Sequence, residues 1–148
     1  MKIRSVNTGF SLIELLIVIA ITTILGATIG PMGSSLLNRN TLRTKTDEVI
    51  IALQGARINS IAGKENSNWG VHFGSGFITL FKGNSYASRD TSFDERFAYP
   101  NSFSITNTEV VFTKVTGLPN AANTIVLDGS GSLQRTILVK TSGVVDVQ

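Results

Sequence analysis

The sequence predicts an α+β protein: one long N-terminal helix, half transmembrane and half amphipathic, packed on an antiparallel β-sheet domain. Three observations carry the prediction. From Phe10 to Ile29 the chain is apolar, with Glu14 as its single formal charge. From about Ser34 to about Ala62 apolar residues recur at helical spacing. After Asn66 the pattern switches to short alternating runs separated by turns rich in glycine, asparagine and serine.

Residues 1–9 read as a basic leader, with Lys2 and Arg4 and no acid. Residues 10–30 read as a transmembrane and assembly helix. Twenty residues at ~1.5 Å each span about 30 Å, the thickness of a bilayer's hydrocarbon core. The positive-inside rule then places Met1 to Gly9 in the cytoplasm and the bulk of the chain outside. Glu14 is the anomaly: a carboxylate in a membrane helix costs up to about 2.5–3.5 kcal/mol, so it implies a function and a partner. Two readings stand side by side. Glu14 lies shallow and reaches the headgroups, or it pairs with a positive charge in an assembled state. Glycine at position 9 suits a protease that needs close backbone access. Cleavage after it would make Phe10 a free amine four positions before Glu14, placed to neutralise a neighbouring subunit's carboxylate.

Pro31 lacks an N–H and opposes the carbonyl of Ala27, so a helix break is expected there, in a zone loosened by Gly26, Gly30 and Gly33. Residues 31–63 read as the amphipathic continuation of the helix. Leu42, Val49, Leu53, Ala56 and Ser60 form its apolar stripe, which Ile50 and Ile61 widen. Arg43, Asp47, Gln54 and Lys64 take the opposite face. Gly55 is a soft spot and Gly63 a helix stop.

Residues 64–148 read as a β-rich globular domain of about seven short strands. Residues 69–82 form a hairpin turned at Gly74-Ser75-Gly76. The polar segment Tyr86 to Tyr99 fits either a short strand or a loop. Further strands fall at Phe103 to Ile105, Glu109 to Lys114, Thr124 to Leu127, Arg135 to Thr141 and Val144 to Val147, closing one sheet.

Composition narrows the function classes. The chain has 148 residues, thirteen basic and ten acidic, for a net charge of +3. Without Lys2 and Arg4 the excess falls to about +1, which weakens any argument for a polyanion partner from composition. There is no cysteine, which excludes disulfide stapling, thiol catalysis and a lipoprotein anchor. The single histidine, His72, sits in a predicted strand with no serine–carboxylate set around it, so it reads as a sheet-surface residue. Asp94-Glu95 and Asp128-Gly129-Ser130-Gly131 hold too few regularly spaced oxygens for calcium, and Gly129-Ser130-Gly131 precedes no helix that would bind phosphate. The sequence thus assigns no catalytic residue, no cofactor and no metal, and it reads as a non-enzyme with no small-molecule substrate.

Gly9-Phe10-Ser11-Leu12-Ile13-Glu14 followed by an apolar run resembles the signal of type IV pilins and type II secretion pseudopilins. The resemblance implies cleavage after Gly9 by a prepilin peptidase and N-methylation of Phe10. It implies a role in filament assembly for Glu14, the fifth residue counted from Phe10. Pro31 falls where the family often has a helix-loosening proline. The implied fold is the pilin fold, and the implied partners are other pilin or pseudopilin subunits, the peptidase and, before assembly, the inner membrane. The implied location is the bacterial inner membrane, single-pass with a cytoplasmic N-terminus, then a periplasmic or extracellular filament. Val110-Val111-Phe112, Gly117-Leu118-Pro119, Thr136 to Val139 and Thr141-Ser142-Gly143-Val144-Val145 are similar to the GspH/FimT-like branch of minor pilins and pseudopilins.

Some minor pilins of that branch bind DNA through basic residues after a glycine near the C-terminus. Here Gly143 is followed by Val144, Val145 and Asp146, with Lys140 and Arg135 nearby. A DNA-binding competence minor pilin is therefore the alternative, with nucleic acid as its partner and this departure against it. An ordinary secretory signal cut near Leu25-Gly26-Ala27 and an unprocessed single-pass anchor are the remaining readings. Glu14 inside the apolar run and the length of that run weigh against the first.

Overall fold

The computed structural model describes residues 9–148 except Asn107, Ser130 and Gly131, and for residues 27–35 it describes the backbone. The expected leader therefore lies, up to Thr8, outside the described residues. The chain divides between Leu37 and Asn38 into two compact units. One helix, α1 (Leu12–Ile61), contributes to both, and a 3-10 turn (Lys64–Asn66) follows. Eight strands complete the fold: β1 (Trp69–Gly74), β2 (Phe77–Lys82), β3 (Asp90–Ala98), β4 (Ser104–Ile105), β5 (Glu109–Phe112), β6 (Asn123–Gly129), β7 (Leu133–Val139) and β8 (Val145–Val147). The α+β class is as expected.

Three expectations need correction. The helix begins at Leu12 rather than Phe10. The interruption expected at Pro31 is absent, since the backbone is helical through it. Proline removes one i→i−4 bond, and the bonds around it carry the helix onward. The strands form two sheets rather than one, in the orders β3-β2-β1-β5 and β4-β6-β7-β8, every pair antiparallel. Among the described residues no helix is long and apolar enough to cross a membrane. The stretch of α1 whose apolar side chains are described ends at Gly26, and Leu12–Gly26 measures about 22 Å against the ~30 Å of a hydrocarbon core.

In the second unit α1 buries the expected stripe. Leu42, Val49, Leu53, Ala56 and Ser60 are buried, joined by Thr46 and Ala52. Ile61 is instead exposed. The stripe shares one core with Trp69, Val71 and Phe73 of β1, Val110 and Phe112 of β5, Ile125 and Leu127 of β6, and Ile137 and Val139 of β7. Ser60 is a polar joint within it. Its hydroxyl donates to the Phe112 carbonyl at 3.0 Å and accepts from the Trp69 N–H at 3.0 Å. Gly55, a soft spot by propensity, permits close approach to the sheet: a β-carbon there would stand 3.3 Å from Leu80 Cδ1. The segment left open between strand and loop contains β3. This edge strand turns Phe93 and Phe97 inward and carries charges along its exposed positions, a pattern that blocks further strand pairing.

Gly63 (φ 60°) ends the helical run as expected. Gly117 is the more demanding glycine. It is buried, has φ +62°, and a β-carbon on it would fall 2.4 Å from Ile61 Cγ1. Gly117→Ala should therefore lower stability by about 2–4 kcal/mol, combining left-handed strain with overpacking. Gly76→Ala, at φ +78° with open space around it, isolates the backbone part. Urea midpoints of the two variants check this. Equal midpoints would mean that the contact with Ile61 relaxes freely.

Candidate functional site

The first unit presents the residues singled out for processing and assembly. Gly9 and Phe10 precede the helix in exposed, non-helical backbone, and Phe10 is 83% exposed. Among the described residues, a β-carbon on Gly9 would meet nothing within 4 Å. Ser11 then starts the helix. Its carbonyl accepts from Leu15 N–H at 3.2 Å, and its hydroxyl accepts from Glu14 N–H at 3.3 Å. Ser11-Leu12-Ile13-Glu14 has the spacing of a capping box, a signal in the sequence that a reading focused on the carboxylate passed over. The cap fixes Glu14 in the first helical turn, where the helix dipole favours a negative charge. Glu14 has no ion-pair partner among the described residues.

Beyond Glu14 the helix is apolar on all sides, and every described side chain up to Gly26 is exposed. A helix of this kind is stable only when lipid or other helices surround it. Its two threonines are already suited to such surroundings. Thr22 Oγ1 donates to the Val18 carbonyl at 2.8 Å and Thr23 Oγ1 to the Ile19 carbonyl at 2.6 Å, so neither hydroxyl needs water. The structure thus brings Gly9, Phe10 and Glu14 to the start of one exposed apolar helix. Pro31 lies within the same helix, outside the described side chains.

His72 occupies the outer face of β1, where the 83–89 segment covers it. Its ring stacks on Tyr86 at 3.8 Å, and the Arg89 guanidinium lies 3.7 Å from the same Tyr86 ring. Arg89 in turn holds Asp94 at 2.9 Å, and the Tyr86 N–H donates to Glu109 Oε2 at 2.9 Å. Phe81 completes the cluster edge-on to Tyr86, and its ring lies against Gly70, where a β-carbon would come within 2.6 Å. His72 Nδ1 is buried without a hydrogen-bond partner among the described residues. This desolvation lowers the His72 pKa from its ordinary value of 6.5, the nearby Glu109 opposes the shift, and Arg89 adds to it. The arrangement holds a surface segment in place.

A depressed histidine pKa means that the unfolded chain binds the proton more readily than the folded one. The stability contribution is therefore complete above about pH 6.5 and is lost as pH falls below it. The wild-type melting temperature should drop between about pH 7 and pH 5.5 by more than that of His72→Gln. Parallel curves would remove His72 from the account.

The basic positions weighed for DNA are differently placed. Lys140 is ion-paired with Asp146. Gly143 is buried at φ +79°, and a β-carbon on it would come 2.7 Å from both Arg57 Nε and the Gly117 carbonyl. That glycine thus has a packing reason of its own. Arg135 is exposed on β7. Among the described residues no three metal-ligating side chains come together.

The family model described as the prokaryotic N-terminal methylation motif matches residues 4–30. This motif is the type IV pilin signal, and it implies processing by prepilin peptidase and assembly with other pilin subunits. Neither the comparison with curated proteins nor that with solved structures finds a match.

Proposed function

We propose that this chain, carrying the N-terminal methylation motif, is a structural subunit of a type IV pilus-like or type II secretion pseudopilus filament, of the minor kind and without catalytic activity of its own. The observation that carries the reading is the geometry around Ser11. An open Gly9–Phe10 bond stands directly before a capped turn, and that turn holds an unpaired Glu14 at the head of a fully exposed apolar helix. Prepilin peptidase would cut the Gly9–Phe10 bond, and Phe10 would be methylated at its new amine. In the bacterial inner membrane, residues 10–30 would span the bilayer once with the N-terminus cytoplasmic, Glu14 lying near the cytoplasmic face. On assembly the helix would leave lipid for a bundle of like helices. Burial of its apolar side chains there, at roughly 25 cal/mol per Å² relative to water, keeps the helix from the aqueous phase. The Phe10 amine of one subunit and Glu14 of the next would set the axial register, and the β-rich unit would coat the periplasmic or extracellular filament. The finer likeness to the GspH/FimT-like branch rests on the strand and turn residues of that unit.

The test is the intact mass of the protein recovered from membranes of a host carrying its prepilin peptidase. The expected species starts at Phe10 and is heavier by one methyl group. A species still starting at Met1, or one cut near Ala27, would replace the filament reading with a simple anchor or a secreted domain.

A further inference from the structure

Within the second unit, Lys45 pairs with Glu48, Lys82 with Asp90, Arg89 with Asp94 and Lys140 with Asp146. Arg57 and Lys114 bond to oxygen acceptors, and Lys64 and Arg96 lie over aromatic rings. Three described bases have neither an ion pair nor a hydrogen bond nor a ring: Arg39, Arg43 and Arg135. These three line the same groove, a cavity of about 430 Å³ between α1 and β7, and Arg43 and Arg135 continue into an adjoining one of about 420 Å³. Arg39 and Arg43 stand one turn apart on the helix, and Arg135 faces them from a strand 92 positions further along the chain. No carboxylate lines the first cavity, and Asp47 lines only the adjoining one; guanidinium groups without a paired acceptor are planar donors, and a phosphate supplies the matching geometry.

We infer that this groove binds the phosphate of an anionic phospholipid headgroup. The inference rests on the reading that residues 10–30 cross the bilayer. No charged residue stands between Glu14 and Arg39, so Arg39 and Arg43 are the first charges beyond the apolar run. Nine positions separate Arg39 from residue 30, the end of that span, so chain connectivity alone keeps Arg39 within about 32 Å of the point where the chain leaves the hydrocarbon core. The groove also has apolar lining, Leu42 and Leu133, beside its arginines, which suits the boundary between phosphate and acyl chain. A nucleic acid fits less well. No aromatic ring lines either cavity for base stacking, and Asp47 ends the basic track at the second one.

The experiment uses the full-length chain in a neutral detergent, titrated with short-chain phosphatidylglycerol or phosphatidylcholine and followed by its melting temperature. Phosphatidylglycerol should raise the melting temperature and phosphatidylcholine should not. Arg43→Gln and Arg135→Gln should each weaken the phosphatidylglycerol effect about tenfold, whereas Lys140→Gln, whose lysine is already paired, should leave it unchanged. All three side chains are on the surface, and unshifted melting temperatures without lipid confirm that the variants fold. An equal response to both lipids, or no effect of Arg43→Gln and Arg135→Gln, overturns the inference. Binding of a short DNA duplex through the same arginines, with no lipid preference, overturns it in favour of a nucleic-acid partner. Alkaline carbonate extraction of wild-type membranes tests the underlying reading separately. Release of the protein overturns the membrane span and the headgroup placement with it, whereas retention without lipid preference overturns the groove assignment alone.

Discussion

Replacing Gly9 with alanine should leave the precursor uncut. Among the described residues the methyl group has room, because a β-carbon at Gly9 meets nothing within 4 Å and the residue precedes the helix. The substitution therefore leaves the Ser11 cap unstrained. Any loss must arise where the peptidase approaches the backbone. One added methyl in a fitted site slows a reaction by about 10–200-fold, enough for the full-length species to dominate at steady state. The readout is the intact mass of the membrane-recovered protein, with the wild type as reference. A variant processed at the wild-type rate would show that glycine is not what the peptidase requires at this position.

Glu14→Ala should give the opposite division: normal insertion and cleavage, but few filaments. Removing a carboxylate from an apolar helix makes insertion easier. The helix start survives as well, because the Ser11 hydroxyl accepts from the backbone N–H of residue 14, which alanine retains. Only the favourable dipole interaction is lost within the chain, about 0.3–1 kcal/mol. Between subunits the effect is larger. A Phe10 amine left without its acid in an apolar bundle is an unpaired charge, and breaking such a pair costs about 3–5 kcal/mol. That corresponds to a fall of at least about a hundredfold in incorporation. Glu14→Gln keeps the shape and removes the charge, so it should fail similarly. Sheared-filament yield against membrane-held mature subunit gives the measurement. Wild-type yield from Glu14→Ala would end the register account.

The two halves of the chain differ in how much of them was legible. The N-terminal methylation motif was readable because its residues are local. A glycine, an aromatic residue and a carboxylate within six positions of an apolar run have the same meaning whatever folds behind them. The helical stripe was readable for a related reason: Leu42, Val49, Leu53, Ala56 and Ser60 follow the period of the helix, and all are buried. Strand positions came through the turn residues between them. The nine-residue β3 did not, because an edge strand contacts one neighbour and shows a polar, irregular pattern.

The sequence alone determined the α+β class, the processing motif, the buried stripe of the helix and most strand positions, since each depends on residues close together in the chain. Tertiary structure alone decided what depends on distant residues meeting. It separated the strands into two sheets, because pairing partners such as β1 and β5 lie far apart in sequence. It stacked the ring of His72 against Tyr86 and gave Gly143 a packing role against Arg57. It also brought Arg135 to the groove of Arg39 and Arg43. No periodicity encodes that meeting, because a strand and a helix approach each other through the core they share, and the side chains at the rim follow.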